Sequence, residues 1–456
     1  MGLNLFDTIE KIPESQQHKK FRMLKDNDEF KYIRKVILCW VEEMIDKDNN
    51  IIEKFQKDFH SSFWEFYLFG CFHNMGFKID QTHNRPDFMI KAPFEINIEA
   101  VVANIKQGGR KEGSRNIEDI MEMFVPPRNQ KDYHELQHEA IVRQSNAIMS
   151  KINKYKEYSK CQWFKNDVPF MIALGSYGQV NYGREYVYPM IALLYGLYFN
   201  PTNGVYNRIY EIQKPNTSSK IPVGIFTSDK YSNISAILYS CTATLGKATS
   251  ISISQGDISD NVVYTIRRDL GDEEIPYKLQ EVSKDDPEFL TEGLFVFHNP
   301  YAKNEIDIKI FENKDIIQFF LEDGKLSCTT DAYPIVCRLN IPKALKLDFR
   351  NLIDEYVRQY NCISPIEYYN IDNKDVDNID FSKNCLVLIW MPTTRQGLFL
   401  KNVFYQKSQK LSDNFLKHDA LEFAKKMRKN TSYYLGEVVK IDIIRSKEQL
   451  EYMNRP

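Results

Sequence analysis

Two acidic residues, Asp87 and Glu99, stand 12 positions apart in a stretch that is otherwise rich in apolar residues, RPDFMIKAPFEINIEAVVAN (residues 85–104). Two short strands are predicted in this stretch, at 87–91 and 95–103, joined by a tight connection. If the strands pair, the two carboxylates become neighbours and repel each other unless a cation or a proton lies between them. Because carboxylate oxygens on a rigid sheet suit Mg²⁺ or Mn²⁺, the stretch predicts a divalent-metal site held by Asp87 and Glu99.

A third acid, Glu65, lies within the sequence FWEFYLF, in a helix predicted over residues 51–76. A carboxylate among aromatic and aliphatic residues needs a partner if it is buried, and an acidic metal site with its ordered water would be one. Each acid also has an ordinary structural explanation: Glu65 as a helix-surface residue, Asp87 as a turn former, and Glu99 as an exposed strand residue. The three acids in this order favour one shared site over three unrelated positions.

The order of the acids resembles the PD-(D/E)XK nuclease superfamily, in which a helical Glu precedes a Pro-Asp pair at one strand and a Glu on the next strand. The matching residues are Glu65 in SFWEFYLFG, Pro86-Asp87 in RPDFMI and Glu99 in INIEAVVAN. The similarity is closer still to a group of uncharacterised bacterial proteins of this fold, in which a helix carrying an Arg and a Lys follows the PDF and EAV sequences. Arg143 and Lys151 match that helix here, and the resemblance covers roughly residues 50–305.

The resemblance implies a restriction-endonuclease-like fold and metal-dependent hydrolysis of phosphodiester bonds, with Mg²⁺ or Mn²⁺ as cofactor and DNA as the expected substrate. It implies that Asp87 and Glu99 hold the metal and that Glu65 assists directly or through water. It further implies that Lys151 orients the attacking water or stabilises the pentacovalent phosphate, and that Arg143 binds a neighbouring phosphate. Restriction or defence against phages is the biological role that the superfamily suggests.

The chain departs from the superfamily pattern at one position, because the motif lysine belongs two residues after the glutamate and Val101 stands there. Two explanations remain open: a lysine arrives from elsewhere in the fold, or catalysis has been lost and a binding module remains. Lys151 is the candidate for the first explanation, since it lies on a helix that follows the motif strands, predicted over residues 134–160. A solvent-exposed basic helix face is the ordinary alternative for that lysine.

The elements that must position these residues alternate between strands and helices, which predicts an α/β fold with a mixed sheet flanked by helices. Further strands are predicted at 168–178, 222–226, 234–240 and 293–298, and further helices at 28–46 and 186–199. Composition changes after about residue 313, where the sequence predicts a hairpin over 318–330 with Asp323-Gly324 at its turn. We therefore predict an N-terminal helical segment (1–50), a nuclease-like domain (51–313) and a smaller C-terminal α+β domain (314–456).

The 456 residues are 43% hydrophobic and 27% charged, with a formal net charge of −2, as in an ordinary globular protein. A near-neutral charge argues against a polybasic coat or membrane-binding protein but is compatible with a nuclease that has a local basic face. The eight cysteines form no CxxC pair and no apolar run reaches membrane-spanning length. We therefore expect reduced thiols, no zinc, no membrane association and a cytoplasmic location. The expected partners are nucleic acid, DNA in particular, and a second copy of the chain in a homodimer.

Two alternatives to an active Mg²⁺-dependent endonuclease remain. One is an inactive nucleic-acid-binding module that retains the nuclease fold, and the other is an interaction scaffold whose C-terminal domain binds a partner protein. Divalent-metal binding distinguishes the endonuclease from both alternatives. DNA binding in EDTA, with its dependence on salt, then distinguishes the two alternatives from each other.

Overall fold

Helices and strands alternate along most of the chain. The computed structural model of the protein describes residues 3–6, 12–106, 108–201, 205–215, 217–270, 276–312, 314–322, 324–330, 332–361, 379–392, 400–430 and 440–453. The helices are α1 (Lys19–Asp26), α2 (Lys31–Trp40), α3 (Ile51–Lys57), α4 (Phe59–Asn74), α5 (Ile117–Glu122), α6 (Tyr133–Tyr158), α7 (Tyr188–Tyr195), α8 (Leu245–Ser254), α9 (Lys346–Asn361), α10 (Asp413–Asn430) and α11 (Lys447–Met453). Across the described ranges, none of these helices has both the length and the apolar character needed to cross a membrane.

The strands are β1 (Lys78–Asp80), β2 (Phe88–Ala92), β3 (Ile96–Asn104), β4 (Phe170–Tyr177), β5 (Leu197–Asn200), β6 (Val205–Arg208), β7 (Glu211–Gln213), β8 (Lys220–Pro222), β9 (Ala236–Ser240), β10 (Asn261–Arg268), β11 (Tyr277–Glu281), β12 (Phe295–His298), β13 (Ile317–Glu322), β14 (Lys325–Cys328), β15 (Ile335–Pro342), β16 (Asn384–Pro392), β17 (Leu400–Ser408) and β18 (Lys440–Ile444). Eight of them form a central sheet in the order β1-β2-β3-β4-β9-β12-β13-β14. Neighbours β3, β4 and β9 run parallel, as do β12 and β13, whereas the other neighbouring pairs are antiparallel. The sheet is therefore mixed, as the alternation of strands and helices in the sequence predicted.

Helix α4 covers one face of this sheet and is apolar on nearly all sides, as expected of a helix buried between two layers. It contacts β1 and β3 on one side and α2 and α3 on the other. The indole Nε1 of Trp64 fixes its position by donating to the carbonyl oxygen of Ala173 on β4, at 3.1 Å. Ile98 and Ala100 of β3 share one core with α4 and with the N-terminal helices, so the predicted segment 1–50 is part of this core.

Helices α6 and α7 lie against each other, and α6 contacts β3 and β4. Because side chains alternate along a strand, the neighbours of Ile98 and Ala100 on β3 point to the opposite face of the sheet. Glu99 on that face contacts α6, so α6 covers the face that α4 does not. Helices on both faces complete the arrangement of a large mixed sheet flanked by helices.

Several elements differ from the sequence prediction. The helix predicted over 186–199 ends at Tyr195, and β5 begins at Leu197. The helix predicted over 51–76 is two helices, α3 and α4, because Asp58 between them leaves helical geometry, with φ −117° and ψ 70°. The strand predicted over 222–226 stops at Pro222, where β8 ends. Gly224 adopts a left-handed backbone conformation, with φ +79°, which turns the chain where the apolar run would have continued the strand.

The chain divides into two compact units: the first comprises Met1–Tyr198, Arg208–Gly271 and Lys278–Arg350, and the second comprises Phe199–Asn207, Asp272–Tyr277 and Asn351–Pro456. The predicted domain boundary at residue 313 falls inside the first unit. The reason is long-range pairing, because β13 and β14 extend the central sheet and β15 pairs with β10. β13 and β14 form the hairpin predicted over 318–330, and Asp323 of its turn lies outside the described residues.

The second unit contains a three-stranded antiparallel sheet in the order β17-β16-β18. Period-two burial along β16 gives the sheet two covered faces. Cys385, Val387 and Ile389 pack against α10, whereas Leu386 and Leu388 share a core with α11. This arrangement is α+β, the class predicted for the C-terminal region.

A buried ion cluster joins α8 to β15 in the first unit. The Glu288 carboxylate is fully enclosed and accepts from Lys247 of α8 (Nζ to Oε1, 2.6 Å) and from Arg338 of β15 (Nε to Oε2, 3.0 Å). Burial acts to raise the pKa of Glu288, but the charges of Arg338 and Lys247 outweigh it and lower that pKa to about 2. The carboxylate is therefore ionised at neutral pH although it is buried.

Candidate active site

Asp87 immediately precedes β2, which begins at Phe88. On this side β2 is shorter than its partner β3. The ladder between β2 and β3 ends at the pair Phe88 and Ile98. Two residues further along β3, the amide of Ala100 donates instead to the Asp87 side chain, with Oδ2 2.7 Å from the nitrogen. The carboxylate is thereby fixed against the backbone of β3 at the point where the two strands part.

Glu99 lies on the face of β3 that α6 covers and is only 2% exposed. Its Oε1 accepts from Lys151 Nζ at 2.6 Å and from the Tyr158 hydroxyl at 3.0 Å. Both donors project from one face of α6, since they are seven residues, or two helical turns, apart. The other oxygen, Oε2, is buried and has no hydrogen-bond partner among the described residues. A buried acceptor without a donor costs about 1–3 kcal/mol unless a ligand satisfies it.

Glu65 approaches the same group of charges from α4, on the other face of the sheet. Burial raises the pKa of Glu65 to about 8, and the charges of Asp87 and Glu99 add to the rise, whereas Lys54 and Lys151 oppose it. Groups on α4, β3 and α6 therefore act on one another although the sheet separates the two helices. They can do so because β2 begins only at Phe88, so the edge of β3 beyond Ile98 has no strand of the described chain beside it on this side.

The pKa of Asp87 is also raised, to about 6, first by burial and then by the nearby charge of Glu99. Lys151, the amide of Ala100 and Lys154 act in the opposite direction. The pKa values of Asp87 and Glu65 are raised mainly because both carboxyl groups are removed from water, and the neighbouring carboxylates add to the rise. A more highly charged cation would stabilise the ionised form of each acid.

Arg143 does not join this group. It lies on α6 eight residues before Lys151. Its side chain lies beside Gly178, near the end of β3, because a Cβ added to Gly178 would be 3.7 Å from the Arg143 Cγ and 3.8 Å from the carbonyl oxygen of Ala103. Its Nε is buried without a hydrogen-bond partner in the described part of the chain. The structure thus brings together Glu65, Asp87, Glu99 and Lys151 and leaves Arg143 farther along β3.

Tyr158 is a site residue that the sequence analysis missed. Its hydroxyl donates to the same oxygen of Glu99 that Lys151 contacts, and the proximity of Glu99 contributes, after burial, to a raised tyrosine pKa. The signal that could have found it is spacing, because a residue seven positions after Lys151 returns to the same face of a helix.

The chemistry of these donors fits a hard divalent cation, since they are carboxylate oxygens and Oε2 of Glu99 is buried and unpartnered. The oxygens of Glu65, Asp87 and Glu99 do not all lie within 4.8 Å of one another in the described structure. Asp87 and Glu99 lie directly beyond the last pair of the β2–β3 ladder, so they are the residues that would hold the ion, with Glu65 acting through water.

Another cluster does bring three ligand atoms within 4.8 Å of one another: His18, His60 and Glu112. All three groups already have partners, and His60 Nε2 lies 3.0 Å from Glu112 Oε2. His18 Nδ1 accepts the backbone N–H of Lys20 at the start of α1, and Glu112 Oε1 lies 2.5 Å from the Lys20 ammonium. An ion there would face the Lys20 charge, so we assign no metal to this cluster.

No protein family, curated protein or solved structure matches the chain. The geometry and charge of the site itself therefore indicate what it can do. In this site Lys151 of α6 and Glu65 of α4 lie near Asp87, which precedes β2, and Glu99 of β3.

Replacing Glu65 with glutamine is expected to stabilise the metal-free protein at alkaline pH. A carboxyl whose pKa is raised on folding favours the folded state when protonated, so the wild type loses stability as pH rises from about 4.5 to about 8. Glutamine mimics the protonated form and cannot ionise. Glu65→Gln should therefore gain roughly 1–3 kcal/mol at about pH 8.5 and less at about pH 5.

The measurement is the midpoint of urea unfolding, followed by tryptophan fluorescence in EDTA at both pH values. Glu157→Gln, at an exposed position of α6, serves as the control and should change the midpoint at neither pH. An equal effect of Glu65→Gln at both pH values would show that Glu65 does not carry a raised pKa.

Proposed function

We propose that the protein hydrolyses phosphodiester bonds in nucleic acid with the aid of a divalent metal, as an endonuclease that acts on DNA. The observation that carries the proposal is the 2.6 Å contact between Lys151 Nζ and Glu99 Oε1. Through it, α6 supplies an ammonium group beside the motif glutamate, although Val101 stands where the motif lysine belongs. A restriction-endonuclease-like fold of the PD-(D/E)XK type is part of the same proposal.

In this proposal Asp87 and Glu99 hold Mg²⁺ or Mn²⁺, which when bound supplies Lewis-acid polarisation of the scissile phosphate. The Lys151 side chain is 13% exposed, so its ammonium is held in place yet accessible from the site. It aligns the attacking water or stabilises the negative charge that develops on the phosphate. Tyr158 keeps Glu99 in position through a second hydrogen bond, and Glu65 holds a proton at neutral pH when no cation is present.

The cations around the carboxylates suit a polyanionic substrate. Lys54 and Lys154 are exposed residues whose charges reach the acids. Farther along β3, the Nε of Arg143 has no hydrogen-bond partner among the described residues. Arg143 would therefore contact a phosphate neighbouring the scissile one. A local basic face of this kind allows nucleic-acid binding by a chain of net charge −2. Restriction or phage defence would be a natural use of such an activity.

Cleavage of supercoiled plasmid in Mg²⁺ or Mn²⁺ tests the proposal. We expect nicked or linear product that EDTA abolishes, and no product with Asp87→Ala, because this change removes one of the two carboxylates that hold the metal. Asp80→Ala is the matched control, since Asp80 is an aspartate of the neighbouring strand β1 that accepts hydrogen bonds from Thr82. Cleavage that resists EDTA, or equal cleavage by Asp87→Ala and the wild type, would contradict the proposal.

The same ion pair also favours a second candidate, an inactive nucleic-acid-binding or protein-interaction module that retains the nuclease fold. Without a metal, Lys151 already compensates the buried charge of Glu99, so the pair is complete as a structural element. Calorimetric titration with Mn²⁺ distinguishes the two candidates, because the inactive module should bind no ion at Asp87. Duplex binding in EDTA that weakens steeply with salt would then identify a nucleic-acid-binding module. If the protein does not bind the duplex, an interaction module is identified.

A further inference from the structure

A cavity of about 670 Å³ opens in the first unit between α1, α2, the segment 111–115, α8 and β15. None of the four groups of the candidate active site lines it. Part of its wall is apolar, built from Met23, Phe30, Ile33, Leu245 and Leu339. Its volume lies within the range of roughly 300–1,000 Å³ that is usual for small-molecule sites.

The polar wall of the cavity is organised around the ring of Tyr182. Lys20 Nζ lies 4.6 Å and Arg115 Cζ lies 4.8 Å from the ring centroid, so two cations share one aromatic ring. Glu112 compensates Lys20, with Oε1 2.5 Å from Nζ, whereas the Arg115 guanidinium donates to the carbonyl oxygen of Val180 and has no carboxylate partner among the described residues. Burial, and in smaller part the charge of Arg115, lowers the pKa of Lys20.

Two further cations line the same cavity. Lys19 and Lys111 are exposed, and neither has a carboxylate partner in the described ranges. Arg338 also lines the cavity, but its guanidinium forms an ion pair with Glu288. Positive charge is therefore in excess here, since Glu112 is the one acid among the described residues that line the cavity, in a chain whose overall charge is −2.

We infer that this cavity binds a nucleotide, with its phosphate between Lys19, Lys111 and Arg115 and its base against the apolar wall. A nucleotide has the two properties that are complementary to this lining, a flat and largely apolar ring system and a polyanionic end. The same chemical group is present in a free nucleotide and at the phosphorylated end of a nucleic-acid strand. This site is separate from the proposed nuclease site and does not depend on it.

Calorimetric titration of the full chain in EDTA tests the inference, with ATP and AMP as free nucleotides and with a trinucleotide that does or does not carry a 5′-phosphate. We expect saturable binding at one site per chain. Lys111→Glu and Arg115→Gln should each weaken binding at least about tenfold, because each removes a charged contact to phosphate. Met23→Trp, which fills the apolar part of the cavity, should weaken binding without any change in charge.

Lys303→Glu, which reverses an exposed lysine that does not line the cavity, is the matched control and should leave the affinity unchanged. Asp87→Ala should also leave it unchanged, so that failure of the nuclease proposal and failure of this inference can be told apart. Binding of ATP or AMP would identify free nucleotides as ligands, and binding of the 5′-phosphorylated trinucleotide alone would identify strand ends. The inference is overturned if no probe binds saturably, or if Lys111→Glu, Arg115→Gln and Met23→Trp all bind like the wild type.

Discussion

Alanine at position 151 is expected to lower the turnover of metal-dependent DNA cleavage by roughly 10²-fold or more, as for the loss of one transition-state donor. The Lys151 ammonium lies 2.6 Å from Glu99 Oε1, and Val101 cannot replace it because its side chain carries no donor. Substrate and metal binding should be retained. The lost ammonium would also have repelled a divalent ion, so its removal gives no reason for weaker metal affinity.

The measurement is single-turnover cleavage of a labelled duplex in saturating Mg²⁺, together with Mn²⁺ titration of each variant. Lys156→Ala is the matched control, since Lys156 is an exposed lysine five residues further along α6 that contacts no carboxylate of the described chain. Lys151→Met retains most of the side-chain volume and guards against a folding defect in Lys151→Ala. Wild-type turnover in both Lys151 variants would exclude a catalytic role for this lysine and favour the inactive module.

Replacement of Glu288 by leucine is expected to destabilise the first unit by about 3–5 kcal/mol, because it leaves two buried cations without their counter-charge. Lys247 and Arg338 are both buried, and each donates to the Glu288 carboxylate. Part of this stabilisation should also disappear in acid. A carboxyl whose pKa is lowered on folding stabilises the fold above its ordinary pKa of 4.5 and loses that contribution as pH falls towards about 2.

The midpoint of urea unfolding at neutral pH measures the first effect, and its dependence on pH below about 5 measures the second. Glu281→Gln is the control, since the Glu281 side chain is 37% exposed in its ion pair with Lys346 and should contribute less than about 1 kcal/mol. The wild type should lose stability more steeply than Glu288→Leu over the acidic range. Equal midpoints for Glu288→Leu and the wild type would mean that the cluster contributes no net stability.

Local patterns account for the elements nearest the carboxylates. The predicted strands 87–91 and 95–103 correspond to β2 and β3 with a shift of one residue, because side-chain alternation over a few positions is sufficient to specify a strand. The helix predicted over 134–160 corresponds to α6 for the same kind of reason. The local sequence patterns therefore predict correctly that Glu99 lies on a strand and Lys151 on a helix.

Features that depend on distant residues could not be predicted in this way. The pairing of β12 with β13 extends the central sheet beyond residue 313. The sequence of either strand alone does not indicate which strand it pairs with. The ion cluster of Lys247, Glu288 and Arg338 joins three separate parts of the chain. The absence of the motif lysine at position 101 predicts only that Lys151 replaces it, whereas the short contact of Lys151 with Glu99 follows from the packing of α6 on β3.

The position of β13 in the central sheet has a consequence for the protein during its synthesis. Until residues 317–322 have left the ribosome, β12 has one edge without a hydrogen-bonding neighbour, and an apolar strand in that state pairs readily with other chains. The first unit also needs the residues up to Arg350 before its sequence is complete. Its folding can therefore be completed only after Arg350 has been synthesised, and until β13 follows, the free edge of β12 favours mispairing with other chains.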